Sequence, residues 1–268
     1  DFTSKTVGFR LGGALIKNKL FFFLNGEIQR DNTPLSFNLN QYQGDATAGD
    51  LDGLRQYLIS SYNYDPGDYL SSPYKLDANK IVGRLDWNLS PATKVSLTNR
   101  YSKGIATNQG KSISRNQAIN YANVGIYFPS TTNSTSLEVN TRVSNKMNNK
   151  FILGFTKVTD DRNPMGDAFP YVRIKDGLGY IYLGSEQYST ANQLKQQNLT
   201  LFDEFKIYKG KHNLSFGIDG ELSKSYNLFI RQNYGVYYYN SLSDFYNGAN
   251  PANYYHSYSL VDNKTGDG

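Results

Sequence analysis

The sequence predicts an all-β fold: an antiparallel transmembrane β-barrel segment of about eight strands, paired as four hairpins and carrying long extracellular loops. Three observations lead there. Apolar and polar side chains alternate over segments of roughly 9 to 11 residues, the length at which a tilted strand crosses a bilayer core. The segments come in pairs joined by tight turns, whereas successive pairs are joined by long connections. The chain of 268 residues is also rich in aromatics, with 23 Tyr, 15 Phe and one Trp, although only 38% of it is hydrophobic and its mean hydropathy is −0.58.

In the first hairpin, residues 7–16 lead across Lys17 and Asn18 into residues 19–29. Leu20, Phe22, Leu24, Gly26 and Ile28 then share one face of the returning strand, with Phe21, Phe23, Asn25, Glu27 and Gln29 on the other, because strand side chains point to opposite faces at period two. The second hairpin joins residues 80–90 and 94–103 around Pro91 and Ala92; Ile81, Leu85, Trp87 and Leu89 oppose Val82, Arg84, Asp86 and Asn88. The third sets Leu137, Val139 and Val143 against Glu138, Asn140 and Arg142, turns at residues 145–149 and returns with Phe151, Leu153 and Phe155 on its apolar face. The fourth sets Leu199, Leu201, Phe205 and Ile207 against Thr200, Glu204 and Lys206, turns at Lys209 and Gly210, and returns with Leu214, Phe216, Ile218 and Leu222 opposite Asp219 and Glu221.

Residues 30–79, 104–133, 159–194 and 226 onward form the connections between hairpins, far longer than a compact domain ordinarily tolerates. Short turns at one end and long loops at the other match an outer-membrane barrel, with turns in the periplasm and loops outside the cell. Trp87, Tyr101, Tyr208 and Tyr226 fall near strand ends, where an interfacial aromatic girdle or simple core packing accounts for them equally. A soluble β-sandwich also alternates and turns on Gly and Pro, so the pattern by itself leaves that alternative open.

Composition narrows the function classes. The aromatic content argues against disorder, and the absence of any run of about 18 apolar residues excludes a membrane-spanning helix. The net charge of +5 is interspersed, without blocks of like charge, so no nucleic-acid partner is expected. Zero Cys removes disulfides, thiolate metal sites and cysteine nucleophiles. His212 and His256 stand alone and read as ordinary polar positions. The acidic groups Asp45, Asp50, Asp52 and Asp160, Asp161, Asp167 lack the ligand spacing of a calcium loop. No compact acid and base motif appears, so neither enzymatic activity nor a cofactor is expected.

Two helices are predicted in the connections. One runs over residues 50–58 with Leu51, Leu54 and Leu58 at helical spacing and Asp50 as N-cap; the other starts at Ser241 and ends near Gly248. Tyr237, Tyr238, Tyr254 and Tyr255 are the candidate ligand contacts of the loops, and they read equally as residues that pack a loop onto itself. The polar parity of the strands supplies the candidate lumen-lining residues Arg84, Asp86, Glu138, Arg142, Glu204, Asp219 and Glu221, which can pair across strands or with a plug inside a barrel.

The run Gly8-Phe9-Arg10-Leu11-Gly12-Gly13-Ala14-Leu15-Ile16-Lys17-Asn18-Lys19-Leu20-Phe21-Phe22-Phe23 resembles the first barrel hairpin of TonB-dependent outer-membrane receptors, especially the Oar-like group of Bacteroidetes-type bacteria. That group commonly has Pro where Ala14 stands. The likeness continues through residues 144–150, 184–192 and 227–233, and so covers nearly the whole chain. It implies a barrel of about 22 strands around an N-terminal plug, in the outer membrane of a Gram-negative bacterium, importing or exporting a cargo with energy passed through TonB. Residues 1–268 are then the N-terminal part of that barrel domain, a fragment without plug or TonB-binding segment. The implied partners are outer-membrane lipid, the remainder of the barrel and plug, TonB through the missing segment, and a transported ligand. The start at Asp1 and the polar close at residues 262–268 fit an excised fragment or a mature chain without its flanks. The reading from another class is a soluble or surface-exposed β-sandwich module that grips peptide or glycan with its Tyr-rich loops.

Overall fold

The computed structural model describes residues 2–34, 37–70, 73–108, 116–258 and 260; Asp1 and residues 262–268 lie outside the described residues. In chain order the strands are β1 (Thr3–Ile16), β2 (Leu20–Thr33), β3 (Tyr74–Asn88), β4 (Thr93–Asn108), β5 (Ala118–Asn120), β6 (Ile126–Ser144), β7 (Met147–Pro164), β8 (Tyr171–Asp176), β9 (Gly179–Leu183), β10 (Asn192–Lys209), β11 (His212–Phe229), β12 (Val236–Tyr239) and β13 (Asn253–Tyr255). Two α-helices, α1 (Ala48–Tyr62) and α2 (Leu242–Tyr246), lie between them.

Eight of these strands form one antiparallel sheet in the order β1-β2-β3-β4-β6-β7-β10-β11. These are the four hairpins expected from the alternation. The strands run to 14–19 residues, longer than the bilayer requires, so their loop-side ends project past the apolar zone. At the opposite end Asn18 takes the left-handed conformation (φ 60°) in the first turn, and Gly210 does the same (φ 61°) in the last.

Register shows why the alternation matters. Following cross-strand partners from edge to edge gives the row Gly13, Phe22, Leu85, Leu97, Leu137, Leu153, Leu201, Gly220. One residue along each strand, on the other face, the row reads Gly12, Phe23, Arg84, Thr98, Ser136, Gly154, Thr200, Glu221. One face therefore carries a continuous apolar band and the other is predominantly polar. The apolar side chains are open: Val7 is 71% exposed, Ile218 63% and Leu222 73%. A sandwich would cover such a face with a second sheet, whereas a contiguous uncovered apolar surface of this extent belongs against lipid.

The apolar band also slants. Phe9 stands in one cross-strand row with Gly26, Ile81, Tyr101, Asn133, Lys157, Gln197 and Lys224, so what is apolar at β1 has become charged by β11. Toward the turns the order reverses: Thr93 and Thr141 precede Asn149, Phe205 and Phe216. A band level with a membrane drifts across hydrogen-bonded rows in this way when the strands are tilted, as barrel geometry demands.

The long connections build a second layer at the loop end. Its five-stranded sheet has the order β13-β12-β8-β9-β5 and is mixed, since β12 runs parallel to β8 and β5 parallel to β9. One face of this sheet, with Val172, Ile174, Ile181, Leu183 and Ile119, packs on Leu51, Leu54 and Leu58 of α1 and Phe245 of α2. Leu51, Leu54, Leu58, Ile119, Ile174, Ile181 and Leu183 are fully buried, so among the described residues the large apolar side chains that are shut off from water lie in the cap. Helix α1 begins earlier than the sequence suggests. Thr47 is its N-cap and Asp50 the third helical residue of a capping box, in which Thr47 Oγ1 accepts from the Asp50 amide and Asp50 accepts from the Thr47 amide. Helix α2 starts at the predicted cap, Ser241.

Candidate functional site

All seven candidate lumen residues fall on the polar face. Arg84 donates twice to Asp86 (2.7 and 2.8 Å), and Ser96 Oγ donates to the same carboxylate at 2.6 Å. Glu138 accepts from Asn140 at 2.6 Å and lies 3.6 Å from Lys150 Nζ. Glu204 accepts from Ser215 at 2.6 Å and pairs with Lys206 at 2.9 Å. The side chains of Arg142, Asp219 and Glu221 make no hydrogen bond or ion pair among the described residues. Near the turns, Lys94, Arg142, Lys150, Glu204 and Lys206 line a depression of about 540 Å³. The face is thus laced with short charge pairs and carries spare cations near the turns. Tyr208 shares this face with Lys206, because Lys206 pairs with Ser215 and Tyr208 with Asn213. Only Trp87, Tyr101 and Tyr226 of the proposed girdle residues take the outward parity.

The four candidate tyrosines of the loops meet at the β12–β13 end of the cap sheet, divided between its two faces. Tyr237 and Tyr254 are register partners with ring centroids 4.8 Å apart; Tyr238 and Tyr255 lie on the opposite face at 5.6 Å. Tyr254 is 52% exposed and Tyr255 43%, whereas Tyr237 and Tyr238 are half-buried. Burial raises the hydroxyl pKa of both half-buried rings, so they stay protonated donors.

Arg173, which sequence reasoning passed over, completes this second face. Its guanidinium lies 3.7 Å from the Tyr238 ring centroid and 5.0 Å from that of Tyr180, a cation–π sandwich spanning β12, β8 and β9. A signal for these strands existed. Val172 and Ile174 alternate with Arg173 and Lys175, and Asp176-Gly177 follows as a hairpin turn with Gly177 at φ 54°.

Of the two acidic groups, Asp50 serves the capping box and Asp161 accepts from Gln193 at 3.1 Å, while Asp160 and Asp161, neighbours on β7, point to opposite faces. The cap is fastened to the large sheet by Arg162 of β7, which donates to Glu186 at 3.2 Å and to Ser189 at 2.8 Å.

Residues 59–266 match the family model described as outer membrane beta barrel domain. The solved structure of the outer membrane transporter YddB from Escherichia coli superposes with a TM-score of 0.58 at 12% identity, over 96% of this chain and 30% of that one. The siderophore receptor PirA from Acinetobacter baumannii gives a TM-score of 0.49 at 16% identity, over 84% of this chain and 28% of that one. No curated protein matches the sequence. The chain thus spans under a third of the length of these solved transporters and receptors. The shared fold, the lipid-facing band and the family match agree: the chain belongs to the outer membrane β-barrel domain family and resides in the outer membrane of a Gram-negative bacterium.

Proposed function

We propose that this chain is the N-terminal part of the barrel wall of a TonB-dependent receptor of the Oar-like group, non-catalytic, moving a nutrient or other cargo across the outer membrane. One observation carries the reading: a lipid-facing apolar sheet whose inner face is polar and charge-paired, with a folded cap built from every long connection. Such a wall fits a passage lined by Arg84, Asp86, Glu138, Arg142, Glu204, Asp219 and Glu221 and closed below by a plug. The exposed Tyr255, with the Arg173 sandwich on its own face, presents a flat ring and a cation to a peptide or glycan arriving from outside, and the exposed Tyr254 offers a further ring on the other face.

The test is made in cells that carry the intact protein. Peptides and oligosaccharides remaining in a defined medium are measured by mass spectrometry for the parent, a strain lacking the protein, and a strain lacking TonB. The reading requires at least one solute that the parent consumes and both deletions leave behind. A solute lost from the medium in the absence of TonB, yet retained when the protein is absent, would overturn the energised mechanism.

A further inference from the structure

The turn end of the sheet has a charge that transport does not explain. Lys17 and Lys19 lie in the first turn, Lys146 in the third and Lys211 in the fourth with Lys209 beside it, and the four turns contain no Asp or Glu. All five lysines are exposed and make no ion pair among the described residues. The first two turns are also joined. The Asn88 amide donates to the carbonyl of Lys19 at 2.8 Å and Asn88 Nδ2 to that of Asn18 at 3.0 Å, leaving between the turns a notch of about 500 Å³. Lys17, Lys19 and Lys94 line it together with Asn88, Leu89 and Ser90, and no carboxylate does. Trp87 and Leu89, 41% and 48% exposed, carry the apolar surface to its edge.

We propose that this notch is a binding site for the headgroup of an anionic phospholipid. Lys17 and Lys19 answer the phosphodiester charge from the first turn and Lys94 reaches it from the polar face across the rim, Ser90 and Asn88 supply polar contacts, and the acyl chains run along Trp87 and Leu85 in the lipid-facing band. The apolar edge selects a lipid over a free phosphate, and the missing carboxylates select a net-negative headgroup over a zwitterionic one. Each lysine near a charged lipid surface is worth about a fivefold gain in affinity.

Native mass spectrometry of the intact, detergent-purified protein tests the assignment, with phosphatidylglycerol and phosphatidylcholine offered separately and inorganic phosphate as competitor. Retention of phosphatidylglycerol well above phosphatidylcholine is expected, undiminished by millimolar phosphate. The triple variant Lys17→Gln, Lys19→Gln, Lys94→Gln should lose that preference, while Lys209→Gln with Lys211→Gln keeps most of it. Equal retention of the two lipids, displacement by phosphate, or equal losses in the two sets of variants would overturn the site. Heat-modifiable migration reports folding of each variant; if the triple variant does not fold, Lys94→Gln alone is expected to lower retention about fivefold, and no change there overturns the proposal equally.

Discussion

Arg162 of β7 and Glu186 of the cap meet at 3.2 Å, and Ser189 closes the group by donating to Glu186 while accepting from Arg162 Nε. Glu186 is nearly buried, at 8% side-chain exposure, and Arg162 is partly open at 31%. Removing the arginine leaves a buried carboxylate without its counter-ion, which costs about 3 kcal/mol after allowance for the solvent that reaches the guanidinium. Arg162→Ala is expected to raise amide hydrogen exchange in residues 184–191 while heat-modifiable migration of the barrel stays unchanged. Protection unaltered in that segment would show that the pair does not fasten the cap.

The cap has a core of its own, so it should fail on its own. Leu54 is fully buried between α1 and the cap sheet. Leu54→Ala removes that packing at a cost of about 2–5 kcal/mol. The expected result is proteolytic cleavage within residues 48–62 at a denaturant concentration that leaves the strands resistant.

Assignment of the two faces of the large sheet is tested by adjacent residues. Leu137 lies in the apolar row and Ser136 in the polar one. Leu137→Arg should destabilise the folded protein in bilayers by about 2–4 kcal/mol if the position is near the midplane. Ser136→Arg faces the polar side and should be close to neutral. Unfolding titrations in lipid vesicles compare them, and equal penalties would refute the assignment.

Acid should loosen α1. Hydrogen bonds from Thr47 hold the Asp50 carboxyl below the usual carboxylate value of 3.8, and the Arg55 guanidinium does the same for Asp65. A folded-state pKa below the unfolded one means that the stabilisation is complete above the ordinary value and is lost as pH falls through the folded value. Exchange protection of residues 48–62, corrected for intrinsic rates, should therefore drop below about pH 4. Thr47→Ala removes the cap interaction at a cost of about 1 kcal/mol at neutral pH and should flatten the part of that response due to Asp50.

Much of the large sheet was legible because period two is written into single segments such as Leu20 to Ile28, and nothing distant is needed to read it. The cap was not. β5 and β13 are three residues each, β12 is four, and β5 and β12 find their parallel partners in another connection, so alternation has no length in which to register. Val172 and Ile174 carried a faint signal, which the length of the connection concealed. The Asp50 cap assignment failed because two side chains compete for one helix start: Thr47, three residues earlier, accepts from the Asp50 amide while Asp50 accepts from the Thr47 amide, so the pair caps the helix from Thr47. The tyrosines were identified as a group, yet Arg173, the cation held between one of them, Tyr238, and Tyr180, sits in another connection altogether.

The mixed cap sheet also dictates an order of assembly. β5 must find β9 and β8 must find β12 as parallel neighbours, and parallel neighbours cannot be reached through a tight turn. Each of these encounters closes a large loop of chain, whereas each hairpin closes a small one. Once neighbouring hairpins have zipped in register, their loop-side ends are held a few strand spacings apart and that closure entropy has already been spent. The cap is therefore a late event whose rate reports on correct strand register. A slip of one strand would misalign the segments that bury Ile174 and Ile181, leaving Leu51, Leu54 and Leu58 in water and the misfolded chain open to degradation.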